Sequence, residues 1–154
     1  MTNNHLIDTL SFDRMILEVF YIFLSIQSKK GEVDAFLEEL KLLLESADFD
    51  LDTDFILISK KKREDEKYST PYTLLDLDYD IKDVAERLKE LTTEEYSETK
   101  IDKDDLNPPL LFVFGKDING KLVYIKLKLK GESRKRVLCV SFHYAKEQMT
   151  FPYA

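Results

Sequence analysis

Asn119-Gly120 lies between the runs FVFGKDI and KLVYIKLKLK, and that dipeptide readily supplies the two φ > 0 residues of a two-residue hairpin turn. The chain from Leu110 to His143 therefore reads as three consecutive strands, the first two paired antiparallel. In the second strand Ile125, Leu127 and Leu129 alternate with Tyr124, Lys126, Lys128 and Lys130. A period of two puts an apolar row on one face and a tyrosine-plus-lysine row on the other, where it can hold a polyanion. The same alternation in the third strand turns Leu138, Val140 and Phe142 to the core. It leaves Cys139, Ser141 and His143 opposite, near Tyr124.

Net charge opposes a polyanion partner at first sight, since the chain carries -7 and proteins that bind phosphate chains are usually basic. The charge is unevenly spread. From Leu106 onward nine Lys or Arg stand against three Asp or Glu, a local balance of +6 that leaves -13 on residues 1–105. A local field can concentrate an anion on an otherwise acidic body. The plainer reading is that these lysines keep a strand soluble and discourage edge pairing.

With 154 residues, 44% of them hydrophobic, the chain can bury one good core. Its single cysteine, Cys139, has no second Cys near it, so a buried structural thiol is expected and an internal disulfide excluded. With only two histidines besides, neither a metal site nor a cofactor is expected. No Gly-rich phosphate loop, nucleophile elbow or HExxH pattern occurs. A cytoplasmic location is expected.

Met15 to Ile26 (MILEVFYIFLSI) is apolar on nearly every helical face. It is shorter than the roughly 20 apolar residues of a spanning helix and lacks the features of a secretory signal. Phe12 to Gln27 reads as a helix capped by Ser11 and stopped by Lys29, Lys30 and Gly31. It packs on the domain's own core or covers a partner or second copy, giving a homodimer. A second, amphipathic helix carries Val33, Phe36, Leu37, Leu40, Leu43 and Leu44 at helical spacing. Phe55 to Ser59 reads as a short strand, and Lys60 to Lys67 (KKKREDEK) as a charged loop. Asp80 opens a third helix with Ile81, Val84, Ala85, Leu88 and Leu91 as its stripe. Thr92 and Glu95 fit a capping box that restarts a short helix through Tyr96 to Thr99. Asn107-Pro108-Pro109 then leads, extended, into the first sheet strand.

The segments DIKDVAERLKELTTEEYSE, FVFGKDINGKLVYIKLKL and VLCVSFHYAKEQMTFPY resemble the motility quorum-sensing regulator (MqsR) family of toxins from type II toxin-antitoxin systems. The resemblance runs from Val33 to Tyr153. It divides the chain into an N-terminal extension, 1–32, and a toxin domain, 33–154. It implies an α+β, RelE-like fold in which helices cover one side of a small antiparallel sheet, here with an extra N-terminal helix. It also implies a metal-independent mRNA endoribonuclease (mRNA interferase), restrained by a cognate antitoxin protein.

Carried over residue by residue, the resemblance makes Tyr124 and His143, which stands in the place of the family's last-strand lysine, candidate catalytic residues, and the lysine row of the second strand adds Lys126. Lys116, Lys121, Lys128, Lys130, Arg134 and Arg136 are the candidate contacts to mRNA. Lys100 approximates the family's helix-end lysine, and Leu111 stands where the family has a polar residue on the first strand. The implied chemistry is attack of a ribose 2′-OH on the adjacent phosphate, leaving a 2′,3′-cyclic phosphate. An imidazole suits the base or the acid because its ordinary pKa is about 6.5. The phenol can orient or protonate an oxygen or stack on a base, and the lysines can neutralise phosphate charge. The competing expectation is a toxin-like fold without catalysis that binds a protein partner, favoured by Leu111 and the acidic net charge.

Overall fold

The computed structural model of the chain describes residues 15, 25–60 and 66–154. They form an α+β fold in which helices cover one face of a six-stranded mixed sheet. The strands are β1 (Ser25–Ile26), β2 (Phe55–Leu57), β3 (Tyr96–Lys100), β4 (Leu111–Ile118), β5 (Lys121–Lys130) and β6 (Arg136–Tyr144). Their spatial order is β1-β3-β4-β5-β6-β2. All neighbours are antiparallel except β2 and β6, which run parallel. The sheet is thus mixed where an antiparallel one was expected.

The β4–β5 hairpin turns at Asn119 (φ 55°) and Gly120 (φ 80°), the two positive angles its sequence provides. Helix α1 (Lys30–Glu45) buries Val33, Phe36, Leu40 and Leu44, the i, i+3, i+4 stripe read from the sequence. It is followed by a single turn, α2 (Leu51–Asp54), and by α3 (Thr70–Leu77). Helix α4 (Ile81–Lys89) starts on an Asp80–Asp83 capping box, each backbone N–H donating to the other's carboxylate at 3.0 Å. It buries Val84, Ala85 and Leu88 against the same core.

Other expectations give way to the structure. Most of the helix read over Phe12 to Gln27, its Ser11 cap and the dimer contact it suggested lie outside the described residues. Its end is different: Ser25–Ile26 pair with Lys100 and Thr99, and Lys30 and Gly31 open α1 rather than stop an earlier helix. Of the loop read over Lys60 to Lys67, residues 61–65 also lie outside, and Glu66–Tyr68 form a 3-10 turn. The Thr92–Glu95 capping box exists, but it closes only a 3-10 turn (Thr93–Glu95). Tyr96 then enters β3. Its buried hydroxyl accepts from the Ser28 backbone N–H at 2.8 Å and bonds Thr99 Oγ1 at 2.6 Å, contacts an exposed helical turn would forgo.

Helix α3 was not expected, and its packing explains why. It turns Thr70 and Thr73 inward, where their hydroxyls accept from the backbone N–H groups of Phe142 and Tyr144 at 3.2 and 3.0 Å. Leu75 stays 83% exposed. The helix thereby satisfies the outer edge of β6 beyond the three-residue β2, leaving less unpaired strand backbone.

A bulge in β6 reverses part of the expected phase. Lys126 pairs with Ser141 but Leu127 pairs with Cys139, so Val140 is an additional residue on β6. Val137 and Cys139 therefore join Phe142 and Tyr144 in the core. Leu138 and Val140, expected in the core, line the opposite face with Ser141 and His143. Cys139 is fully buried, and desolvation pushes its thiol up to about 12, which suits an inert structural cysteine.

The β5–β6 connection is tied down by Arg134, whose Nε–H and Nη2–H donate to the two carboxylate oxygens of buried Asp54 at 2.9 and 2.5 Å. These hydrogen bonds, with the Asp50 backbone contact next, hold the Asp54 carboxyl down at about 2 from its ordinary 3.8. A folded-state pKa below the unfolded one contributes stability above the unfolded value, and that contribution is lost as pH falls through the folded one. Arg134→Ala is expected to lower stability at neutral pH and to flatten the acid limb between about pH 4 and pH 2. Urea midpoints measured across that range check it, and a limb as steep as that of the unaltered protein would refute the assignment.

Candidate functional site

The face of the sheet turned away from the helices carries a groove made of two adjoining cavities. Tyr124 on β5 and His143 on β6 are direct cross-strand partners, their rings stacked 5.1 Å apart at 15°. His143 Nδ1 lies 2.9 Å from the Tyr144 carbonyl oxygen. A carbonyl can only accept, so Nδ1 carries the proton, and in neutral imidazole Nε2 is the lone-pair nitrogen. Burial first, and the Glu98 carboxylate second, push the Tyr124 phenol up to about 12. At neutral pH it is a hydroxyl donor, not a phenolate.

Tyr124 and His143 line the smaller cavity, of about 350 Å³. The larger, about 620 Å³, spreads toward the far end of the sheet, bounded by Leu138 and Val140 of β6 and by the loop that follows β3. Lys100, Lys126, Ser141 and His143 border both, so the two cavities adjoin at these residues. Lys126 and Ser141 are the cross-strand pair immediately before the bulge. Beneath them Val113 of β4, fully buried, faces the groove side between Glu98 and Lys126.

Lys100 enters this site because residues 96–100 are a strand. Its ammonium lies 3.3 Å from Glu98 Oε1, and strand alternation sends Glu98 and Lys100 to one face. Reading this segment as helix hid that alternation. Ser141 was on the expected face but drew no role.

The sequence-derived basic set divides sharply. Lys126 and Lys130 line the larger cavity, Lys130 also pairing with Asp105 at 3.4 Å. Lys128 does not reach solvent: it is 0% exposed, its ammonium 2.9 Å from Asp102 and 3.4 Å from Asp105. The loop after β3 folds over that part of β5 and supplies both carboxylates. Lys116 is only 14% exposed and pairs with Glu95 at 3.3 Å and Glu90 at 4.0 Å; its cross-strand partner Val123 belongs to the core, so it lies on the helix side. Lys121 sits over the Tyr144 ring at 4.8 Å and pairs with Asp76 at 3.3 Å, again off the groove. Arg134 is committed to Asp54. Arg136 is exposed beside Lys130 in register but borders neither cavity.

The remaining wall of the smaller cavity is the segment after β6. Lys146, Gln148, Met149 and Thr150 border it, and the Phe151 ring packs on Gly115, the cross-strand partner of Tyr124. A Cβ at 115 would stand 2.8 Å from the Phe151 ring and 3.0 Å from Met149 Sδ. Glycine is what admits this segment to the sheet. Tyr153 fastens it farther on, donating its hydroxyl to the Ser28 carbonyl at 2.5 Å and stacking on Tyr96 at 5.8 Å.

No family model, curated protein or solved structure matches the chain. Among the described residues no helix is long and apolar enough to cross a membrane. Among them, too, no group of three or more His, Cys, Asp or Glu side chains is placed to hold a metal ion.

Proposed function

We propose that this chain is a cytoplasmic, RelE-like toxin of a type II toxin-antitoxin system that cleaves mRNA without a metal ion and is restrained by a cognate antitoxin. One observation carries the reading: a stacked Tyr124–His143 pair opening on a groove whose shared border includes Lys100 and Lys126. The neutral His143 imidazole takes the 2′-OH proton at Nε2 as the 2′-oxygen bonds to phosphorus. The Tyr124 hydroxyl donates to the 5′-oxygen as the P–O5′ bond breaks. The imidazolium then returns a proton to the phenolate. Lys126 and Lys100 offset the charge that builds on the phosphate oxygens.

The purified chain is expected to cleave single-stranded RNA in the presence of a chelator and to leave 2′,3′-cyclic phosphate ends. Intact RNA under these conditions would end the proposal. Leu111, 3% exposed and bordering the larger cavity, favours a second reading, a toxin-like fold that binds a protein without catalysis. A folded chain that leaves RNA intact would leave that reading standing.

The groove lysines act through charge, so Lys100→Gln and Lys126→Gln are each expected to weaken binding alike on different RNA sequences. Each should also reduce the slope of log affinity against log salt by about 0.7. Lys121→Gln, off the groove, should leave the slope unchanged. Salt titrations of the three variants decide, and equal slopes for all would place the bound RNA elsewhere.

A further inference from the structure

We infer that the segment after β6 is the specificity element of the site: Gln148 and Met149 select the nucleobase next to the cleaved phosphate. The inference rests on the nuclease reading above and adds to it where sequence discrimination resides.

Both cavities have partly charged linings, and Lys100 and Lys126 border each. The larger adds Lys60, Lys103 and Lys130 with Asp102, Asp104 and Asp105, a lining suited to a phosphate backbone and its counterions; the smaller adds Glu98, Lys146 and Glu147. The smaller one places the Ser97 and Thr150 hydroxyls and the Gln148 carboxamide beside Tyr124 and His143. These groups both donate and accept hydrogen bonds, as the neutral edge of a base requires, while aromatic rings and the Met149 thioether offer a surface for its flat face. Its volume, about 350 Å³, lies near the lower end of small-ligand sites, about 300–1,000 Å³. That is room for one nucleotide unit rather than several.

The wall is also held in place. Gly115 lets Phe151 and Met149 lie against the sheet beside Tyr124, and the Tyr153 hydrogen bond to Ser28 fixes the segment beyond them. A base seated there would meet Met149 at a distance from the Tyr124–His143 pair set by packing, with the exposed Gln148 carboxamide next to it along the chain. Selection would then come from a wall anchored on both sides of Thr150.

Cleavage of a randomised RNA pool by the unaltered chain, Gln148→Ala and Gly115→Ala, sequenced at the new ends, tests this. Gln148 is exposed, so its truncation leaves the fold intact, whereas Gly115→Ala must displace Phe151 and Met149. The unaltered chain should prefer one base at a position flanking the cut. Gln148→Ala should reduce that preference about tenfold, the worth of one hydrogen bond, and Gly115→Ala, by displacing the wall, should reduce it too. If the unaltered chain cleaves and Gln148→Ala keeps its base preference, the inference is overturned and the nuclease reading survives. If the unaltered chain does not cleave, both fall.

Discussion

Replacing His143 with alanine is expected to lower the rate of RNA cleavage by about 10²–10⁴-fold, the usual worth of a general base, while leaving the fold intact. The side chain is half-buried on the groove face, outside the core cluster, so its removal takes away a stacking partner of Tyr124 and a hydrogen bond to the Tyr144 carbonyl but leaves the core cluster whole. Tyr124→Phe is the informative companion. It keeps a ring against the imidazole and removes only the hydroxyl, so it should retain the thermal midpoint and lose the proton donor. Single-turnover rates on one RNA, with melts of each variant, separate chemistry from folding. A His143→Ala protein that cleaves at the unaltered rate would remove the imidazole from the mechanism.

Lys128→Met is expected to cost about 3–5 kcal/mol of stability, because taking one partner from a buried ion pair strands the other. Asp102, nearly as buried as the lysine, and Asp105 would face each other across a methyl group in place of an ammonium. The loop after β3 would lose its buried tie to β5 and keep the more exposed Lys130–Asp105 pair, which loosens one wall of the larger cavity. Adding Asp102→Leu should recover much of the loss, since apolar replacements of buried ions are often neutral or stabilising. Urea denaturation of the single and double variants measures both. A single variant as stable as the unaltered chain would mean that the ion cluster contributes nothing to the fold.

What the sequence disclosed was what local chemistry decides. Asn119-Gly120 fixes its hairpin with no help from distant residues, and the stripes of α1 and α4 need only the helical period and a sheet to pack on. Tyr124 opposite His143 followed from alternation near the end of β6. Long-range partners decided the rest. Nothing local to KLKLK marks Lys128 as buried; Asp102 and Asp105, more than 20 residues earlier, do. Helix α3 defeats an amphipathic search because its inward residues are threonines serving β6 while Leu75 faces solvent. The box at Thr92 and Glu95 correctly signals a helical turn, but Tyr96 then finds Ser28 and Thr99 and the chain extends.

The additional residue in β6 has a wider meaning. Strict alternation from Val137 would turn Ser141 and His143 toward the helices and Phe142 toward the groove. With Val140 inserted, the two halves of the strand keep independent frames: one is set by pairing with β2, the other by Tyr124. The chemical identity of this surface therefore depends on a count of backbone units as much as on which side chains are present. The same residues in strict alternation from Val137 would keep the Cys139 thiol buried and present the Phe142 phenyl group on a surface where this strand presents hydroxyl and imidazole.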